Sequence, residues 1–318
     1  MRIHVSSGHV YPGWLNGVAS HVVHDYLVQG LAELGHDVRY QCRGWGQVRP
    51  PEGVRQVSDI TGDEDILHLH HRSAAESPVT DLPWVRTIHS DLKYQGLTPD
   101  SARPNFIYVS RTIARLFGSD RHVHNGIDPA NFIYSKSKED YFLFAVAGGV
   151  EKARMKGLDI ALRVAKLRGL ELRVAGGGVD PSEMAEFERY CRDYGAEFLG
   201  LVQGRRKAEV FAGARALLFP TQMNEACSLT VIEALMSGTP VIASDKGAMA
   251  EQLDPSVGFI CSDESSYLSA VDDLDRIAPQ DCRRVAMERF HYLEMARSYV
   301  REYEREIAHT SLGLASRP

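Results

Sequence analysis

Short apolar runs alternate with amphipathic stretches along the whole of this 318-residue chain. That alternation predicts an open α/β architecture with a mostly parallel sheet. Arg2–Ser6 reads as the first strand. A Gly-containing loop follows, then a helix around Ala19–Leu34 that stops at Gly35, and a second strand at His36–Gln41. Further strands are predicted at Ile66–His70, Val85–His89 and Phe106–Val109, and Asn125-Gly126 reads as a turn. The pattern then restarts at Tyr141, with a strand at Phe142–Ala147 and a loop at Gly148–Lys156. In the helix that follows, Leu158, Ala161, Leu162 and Ala165 carry the spacing of one buried face. Leu170–Ala175, Glu197–Leu199, Ala216–Phe219, Pro240–Ala243 and Phe259–Cys261 supply more strands, and a helix at Leu293–Ile307 closes the pattern without a strand after it.

Two strand–Gly–helix openings, one in each half, predict two Rossmann-like units. The polar stretch Ser135–Asp140 marks their boundary. The expected domains are residues 1–135 joined by the C-terminal helix region 293–318, and residues 136–292. The composition fits this picture: 44% of residues are hydrophobic and 25% charged, so each half can bury a core.

Charge and cysteine content narrow the partners. A net charge of -6 argues against a polybasic nucleic-acid surface. The five cysteines are scattered and never form a CxxC pair, the pattern of a reducing compartment rather than of a disulfide framework. The chain starts on a strand without the layout of a signal peptide, and no apolar run approaches the roughly 18 residues of a membrane span. A cytoplasmic protein with at most peripheral membrane contact is expected.

The segment richest in chemistry is Asn224–Gly238, NEACSLTVIEALMSG. Glu225 falls in the loop after a strand. Glu233 falls in the first turns of a helix that Ser228 or Thr230 can cap. A helix N-terminus offers unpaired amides and partial positive charge, a natural seat for a diphosphate, and a carboxylate just beyond it can accept hydrogen bonds from ribose hydroxyls. Upstream, Gly148–Lys156 places Lys152, Arg154 and Lys156 beside a strand-to-helix turn, which favours phosphate contact. Gly176 ends a strand where backbone can approach a base closely.

These segments resemble the donor-binding core of family 4 of the glycosyltransferases, retaining enzymes of the GT-B architecture. The resemblance spans nearly the whole chain: LNGVASHVVHDYLVQGLAELGHDV, DILHLHH, RTIHSD, YVSRTIARLF, HNGIDPANF, KGLDIALRVAKL, LELRVAGGG, FLGLVQGRRKAEVFAGARALLFPT and ALMSGTPVIASDKGAMAE follow the family's order. It implies two Rossmann-like domains facing across a cleft, the second holding a nucleoside diphosphate sugar and the C-terminal helix crossing back onto the first.

By the same resemblance Glu225 sits beside the donor sugar and Glu233 holds the ribose. The amides of Ala226, Cys227, Ser228, Leu229 and Thr230 wrap the sugar and diphosphate, and Lys156 grips the diphosphate. The family's usual Arg falls here at Gly149 or Val150, so Lys152 or Arg154 must stand in. Cys227-Ser228 replaces the family's common Phe-Gly. Gly17, preceded by Asn16, matches the opening glycine loop.

His89 ends a strand, where open α/β sheets place their sites, and the resemblance gives it contact with the transferring sugar. Expected catalytic residues are therefore His89, Glu225 and Lys156. His9, Tyr11, Trp14, His70 and His71 are candidates for acceptor contact.

No metal site is expected. His68, His70 and His71 have no carboxylate or thiol at ligand spacing, and Asp63-Glu64-Asp65 reads as a solvated lead-in to a strand. The expected reaction moves a sugar from a nucleoside diphosphate, UDP favoured, to an acceptor hydroxyl on a sugar, lipid-linked sugar or small natural product, with no cofactor. A nucleotide-sugar 2-epimerase of the same fold and a degenerate nucleotide-sugar-binding subunit are the alternatives.

Overall fold

The computed structural model describes residues 1–13, 18–46, 48–70, 80–90, 98, 102–178 and 180–312. The chain divides into two compact units, residues 1–127 with 289–318, and residues 128–288.

Unit 1 contains β1 (Arg2–Ser7), β2 (Val10–Tyr11), α1 (Ala19–Glu33), β3 (Asp37–Gln41), β4 (Gly44–Trp45), β5 (Val54–Gln56), β6 (Ile66–His70), β7 (Trp84–Ile88), β8 (Phe106–Tyr108) and α2 (Arg111–Leu116). Unit 2 contains β9 (Tyr141–Ala145), α3 (Val150–Met155), α4 (Leu158–Arg168), β10 (Glu171–Ala175), α5 (Pro181–Asp193), β11 (Glu197–Gly200), α6 (Gly204–Gly213), β12 (Ala216–Phe219), α7 (Leu229–Met236), β13 (Val241–Ser244), α8 (Met249–Gln252), β14 (Gly258–Cys261) and α9 (Glu264–Asp272). The helix α10 (Pro279–Phe290) carries the chain back to unit 1, which ends on α11 (Tyr292–Ser311).

Each unit is built on a six-stranded sheet, in the orders β5-β3-β1-β6-β7-β8 and β11-β10-β9-β12-β13-β14. Every pairing within them is parallel. In both, the strand order reverses between the first and fourth strands, β1/β6 and β9/β12, the arrangement of the dinucleotide-binding fold. Loops leaving such adjacent strands diverge and open a crevice at the strands' carboxyl ends.

The interior strands read as unbroken apolar runs because helices cover both faces of a parallel sheet. All five residues of β9 are buried, as are all four of β12 and of β13. The predicted helical face of Leu158, Ala161, Leu162 and Ala165 is buried in the core of unit 2. Gly169, in the left-handed region at φ 63°, ends α4.

In unit 1, α11 covers α1 and β7. Tyr303 meets His68 Nδ1 at 2.6 Å, Tyr299 meets Thr87 Oγ1 at 2.7 Å, and Tyr292 donates to Glu33 at 2.6 Å. The buried Arg121 guanidinium joins Glu302 at 2.7 Å and Glu306 at 2.6 Å.

Three expectations change. Asn125-Gly126 is not a turn: Gly126 donates to Met295 Sδ, and the adjoining Ile127 bridges to His291 beside α11. The stretch Gly148–Lys156 is not wholly a loop, because α3 occupies Val150–Met155. Nor is Asp63-Glu64-Asp65 simply solvated. Glu64 is 4% exposed. It accepts from the amides of Thr61 at 2.9 Å and Gly62 at 2.8 Å and from Arg39 at 3.1 Å.

Burial raises the Glu64 carboxyl, but those hydrogen bonds outweigh it and bring it down to about 2. Its stabilising contribution is therefore complete above the unfolded value of about 4.3 and is lost as pH falls toward 2. Replacing Glu64 by Gln should cost about 1–3 kcal/mol at pH 7, by removing the charged acceptor of two backbone amides and of Arg39, which keeps Asp63 as its other partner. Denaturant melts at pH 7 and pH 3 check this: the gap between variant and wild type should narrow at the lower pH.

Candidate functional site

In unit 2 the two loops at the strand-order reversal are locked to each other. Gly157, directly after Lys156, adopts φ 91°, and a Cβ there would penetrate the Pro220 carbonyl at the end of β12. Only glycine meets both demands. The docking continues with Gln222, whose amide donates to the Met155 carbonyl at 3.0 Å. As a result Lys156 forms an ion pair with Glu225 Oε1. Thr221 Oγ1 donates to the same oxygen at 3.1 Å, and the Lys156 Nζ lies 5.8 Å from the centre of the Phe219 ring.

Helix α3 sorts the other basic residues. Lys152 and Lys156 are four apart, with the Lys156 amide bonded to the Lys152 carbonyl at 3.0 Å, so they share a face. Lys152 feels both Lys156 and Glu225, and burial first, then the Lys156 charge, lowers its pKa. Arg154 projects elsewhere and pairs with exposed Asp159 at 3.0 Å. Of the two residues expected to replace the missing Arg, the structure turns Lys152 toward Glu225 and Arg154 away from it. Gly149 precedes α3, and Gly176 lies beside the Gly148–Gly177 bridge at the carboxyl ends of β9 and β10.

Helix α7 begins where the sequence places it. Ser228, not Thr230, is its cap, with the hydroxyl accepting from the Val231 amide. The Ser228 amide is itself occupied by Gln252 Oε1 at 2.7 Å, so it cannot wrap a ligand as expected; Leu229 and Thr230 supply the first helical amides. Ala226 and Cys227 are buried, and Cys227 fills packing space.

The Glu225 main chain is clamped by the Ala248 amide at 2.7 Å. At Gly247, φ is 62° and a Cβ would collide with the Glu225 backbone. Glu233, 9% exposed, pairs with Lys207 Nζ of α6 at 2.5 Å. Nothing along the sequence singles out Lys207, nor Gly247, Ala248 and Gln252. Arg205 is on the surface with Glu209.

In unit 1 the strand-order reversal is surrounded by histidines. His9 follows β1, His21 and His24 lie on α1, His68 and His70 lie on β6, and His89 follows β7. His9 is buried and bonded through Nε2 to Asp25 at 3.1 Å. Tyr11 packs 4.9 Å from Trp45, ring to ring, and burial pushes its hydroxyl up to about 12. Both residues are thus committed to the interior of unit 1 rather than presented to an acceptor. His89 Nε2 lies 2.8 Å from His24 Nε2. Burial, more than the neighbouring His21, lowers His89 to about 4. Burial also takes His24 and His70 well below the usual range, so these rings are neutral at pH 7. Trp14, Gly17 and His71 lie outside the described residues.

Residues 142–276 match the model of the family described as Glycosyl transferases group 1. The phosphatidyl-myo-inositol mannosyltransferase of Mycolicibacterium smegmatis is 27% identical over 326 residues, covering 82% of this chain and 79% of that protein. The chain is a glycosyltransferase whose residues 142–276 are similar to the group 1 family. The D-inositol 3-phosphate glycosyltransferase of Corynebacterium kroppenstedtii is 31% identical over 147 residues, covering 42% of this chain and 32% of that protein.

Among solved structures, AviGT4, a glycosyltransferase involved in avilamycin A biosynthesis, superposes with TM-score 0.75 at 24% identity, covering 96% of this chain and 98% of that one. Anabaena HepE in complex with UDP and glucose superposes with TM-score 0.71 at 13% identity, covering 96% and 100%. The two parallel-sheet units of this transferase are those of the GT-B fold.

The glycine docking is testable on stability. Gly157→Ala should cost more than about 2 kcal/mol, since it combines a left-handed φ with a backbone collision. Gly169→Ala, left-handed with nothing within 4 Å of the added carbon, should cost about 1 kcal/mol. Paired urea melts compare them.

Proposed function

We propose that this glycosyltransferase moves a sugar from a nucleoside diphosphate, UDP by preference, to an acceptor hydroxyl with retention of anomeric configuration, and that unit 2 holds the donor. The observation that carries this is the Lys156–Glu225 pair beside the start of α7, with Lys152 on the same side. The Glu233–Lys207 pair lies eight residues further along the motif. The HepE complexes with UDP and UDP-glucose support a uridine nucleotide. The names of the inositol-directed relatives support an acceptor of the polyol or lipid-linked kind, met by unit 1, with His89 and His70 at its strand ends. Five free cysteines support a reducing, cytoplasmic setting, and among the described residues no helix is long and apolar enough to cross a membrane.

Charge decides the mechanism. As the bond from the anomeric carbon to the diphosphate breaks, negative charge grows on the leaving oxygens. Lys156, Lys152 and the first amides of α7 meet that charge, and they stabilise it more than they stabilise the bound donor. Without donor, Lys156 is neutralised by Glu225. A diphosphate competes for the ammonium and releases the carboxylate to the sugar hydroxyls. The acceptor oxygen bonds to the anomeric carbon from the face the diphosphate leaves, and its proton passes to a leaving phosphate oxygen. Glu233 accepts from the ribose.

Single-turnover rates at saturating donor test the cations. Lys156→Ala should slow transfer by about two to three powers of ten, with a comparable loss for Lys152→Ala and none for Arg154→Ala. Normal turnover in Lys156→Ala would remove this loop from the donor site.

Calorimetry with free UDP separates the acids. Glu233→Ala should lose about 1.5–3 kcal/mol of affinity. Glu225→Ala should bind UDP at least as tightly as wild type, because Lys156 is no longer held by the carboxylate, and fail in turnover.

Added Mg²⁺ or Mn²⁺ should not raise the rate, because side-chain cations carry the leaving-group charge. A rate that rises in proportion to occupancy by either ion would reassign that role to a metal.

A further inference from the structure

The histidines of unit 1 are not equivalent. Two of them are fully committed. His68 bonds through Nδ1 to Tyr303 at 2.6 Å and through Nε2 to Thr87 at 2.7 Å. His9 bonds through Nδ1 to Ser7 and through Nε2 to Asp25 at 3.1 Å. His70, by contrast, has both ring nitrogens buried without a hydrogen-bond partner among the described residues, and His24 Nδ1 is in the same condition. Buried polar groups are ordinarily paired, and an unpaired one in a native fold calls for a ligand or a function. The His24 and His70 rings are nevertheless pressed together, with centroids 3.4 Å apart, inside the usual spacing of aromatic pairs.

His24, His70 and His89 each bring one ring nitrogen to within 4.8 Å of the others, and His24 Nε2 and His89 Nε2 are 2.8 Å apart. Tetrahedral zinc with Zn–N bonds near 2.0–2.1 Å holds its nitrogens about 3.4 Å from one another. The observed separations bracket that value, so modest ring movement converges all three on one point. Without an ion, the facing Nε2 atoms must share a single proton and His70 contributes nothing. An ion takes a lone pair from each ring.

The geometry points to a tri-histidine site in unit 1, His24–His70–His89, for a divalent transition ion of the zinc class. The residues come from α1, β6 and the end of β7, so the ion ties the helix to two neighbouring strands at the strand-order reversal. Neutral imidazoles with no carboxylate among them select Zn²⁺, Co²⁺, Ni²⁺ or Cu²⁺ over the oxygen-seeking Mg²⁺ and Mn²⁺. Three protein ligands leave a fourth position open, the arrangement of sites that bind water or a substrate oxygen. The inference is independent of the donor reading but gives His70 and His89, placed above at the acceptor side, to an ion; the metal titration reads that site whether or not an acceptor binds there.

Cobalt is the probe. Untagged full-length protein, stripped with a strong chelator and dialysed, is titrated with Co²⁺ and followed by its visible absorption. The expected result is one equivalent bound, with the intense bands of low-symmetry Co²⁺, abolished by one equivalent of Zn²⁺. Mg²⁺ should leave the bands unchanged.

His70→Phe replaces an unpartnered ring with an apolar one of similar shape. It should keep the metal-free melting temperature and weaken Co²⁺ binding more than about a hundredfold, beyond the 10–100-fold cost of losing a mere supporting contact. Zn²⁺ should raise the melting temperature of wild type and leave that of His70→Phe unchanged. His36→Ala, a histidine outside the cluster, should bind Co²⁺ as wild type does. Should His70→Phe fold poorly, His89→Ala serves as the second variant under the same readouts. Absence of stoichiometric Co²⁺ and Zn²⁺ binding by wild type, or equal binding by a folded cluster variant, overturns the site.

Discussion

The second unit of this transferase depends on one close approach, the backbone of Gly157 against the carbonyl of Pro220. Sheet topology brings the loops after β9 and β12 to adjacent positions but does not set their distance. The missing Cβ does. It brings Lys156 onto Glu225, and the four-residue step along α3 then adds Lys152. A second glycine, Gly247, holds the other side of Glu225 in the same way. The charged groups are thus positioned by backbone contacts rather than by their own attraction. A flexible lysine and an acid would otherwise contribute little at a partly exposed site.

The two strand-order reversals are filled by opposite chemistry. In unit 2 ionised groups gather in pairs, Lys156 with Glu225 and Lys207 with Glu233. In unit 1 the corresponding place holds His24, His70 and His89, rings that burial keeps uncharged, and Asp25 nearby is held by His9, Tyr40 and the Gly13 amide. One topology therefore carries charged pairs at one reversal and neutral rings at the other.

How much the sequence discloses follows from the range of each signal. The 3.6-residue spacing of Leu158–Ala165 and the helix start before Glu233 are local, so they read correctly. The six-residue α3 is too short to carry a period, and Gly148–Lys156 reads as loop. Lys207 and Glu233 lie on different helices, and no pattern along the chain announces their pairing. His24 gives no signal along the chain, because His21 and His24 resemble any polar residues of a surface helix, and only the sheet brings β6 and β7 beside them. Glu64 misleads in the other direction: three acids in a row suggest solvent, while Arg39 and two backbone amides bury the middle one.

The split composition of unit 1 has a bearing on how the chain is made. Its sheet is complete once Tyr108 has been synthesised, yet Tyr299 and Tyr303, which cap Thr87 and His68, and Glu302 and Glu306, which neutralise buried Arg121, arrive nearly two hundred residues later. Unit 2, continuous from residue 128 to 288, emerges from the ribosome in full before they do. Vectorial synthesis therefore leaves the earlier unit waiting, its histidine edge and Arg121 uncovered, while the later one folds. The helix that closes the first unit, α11, thus leaves the exit tunnel only after the whole of unit 2.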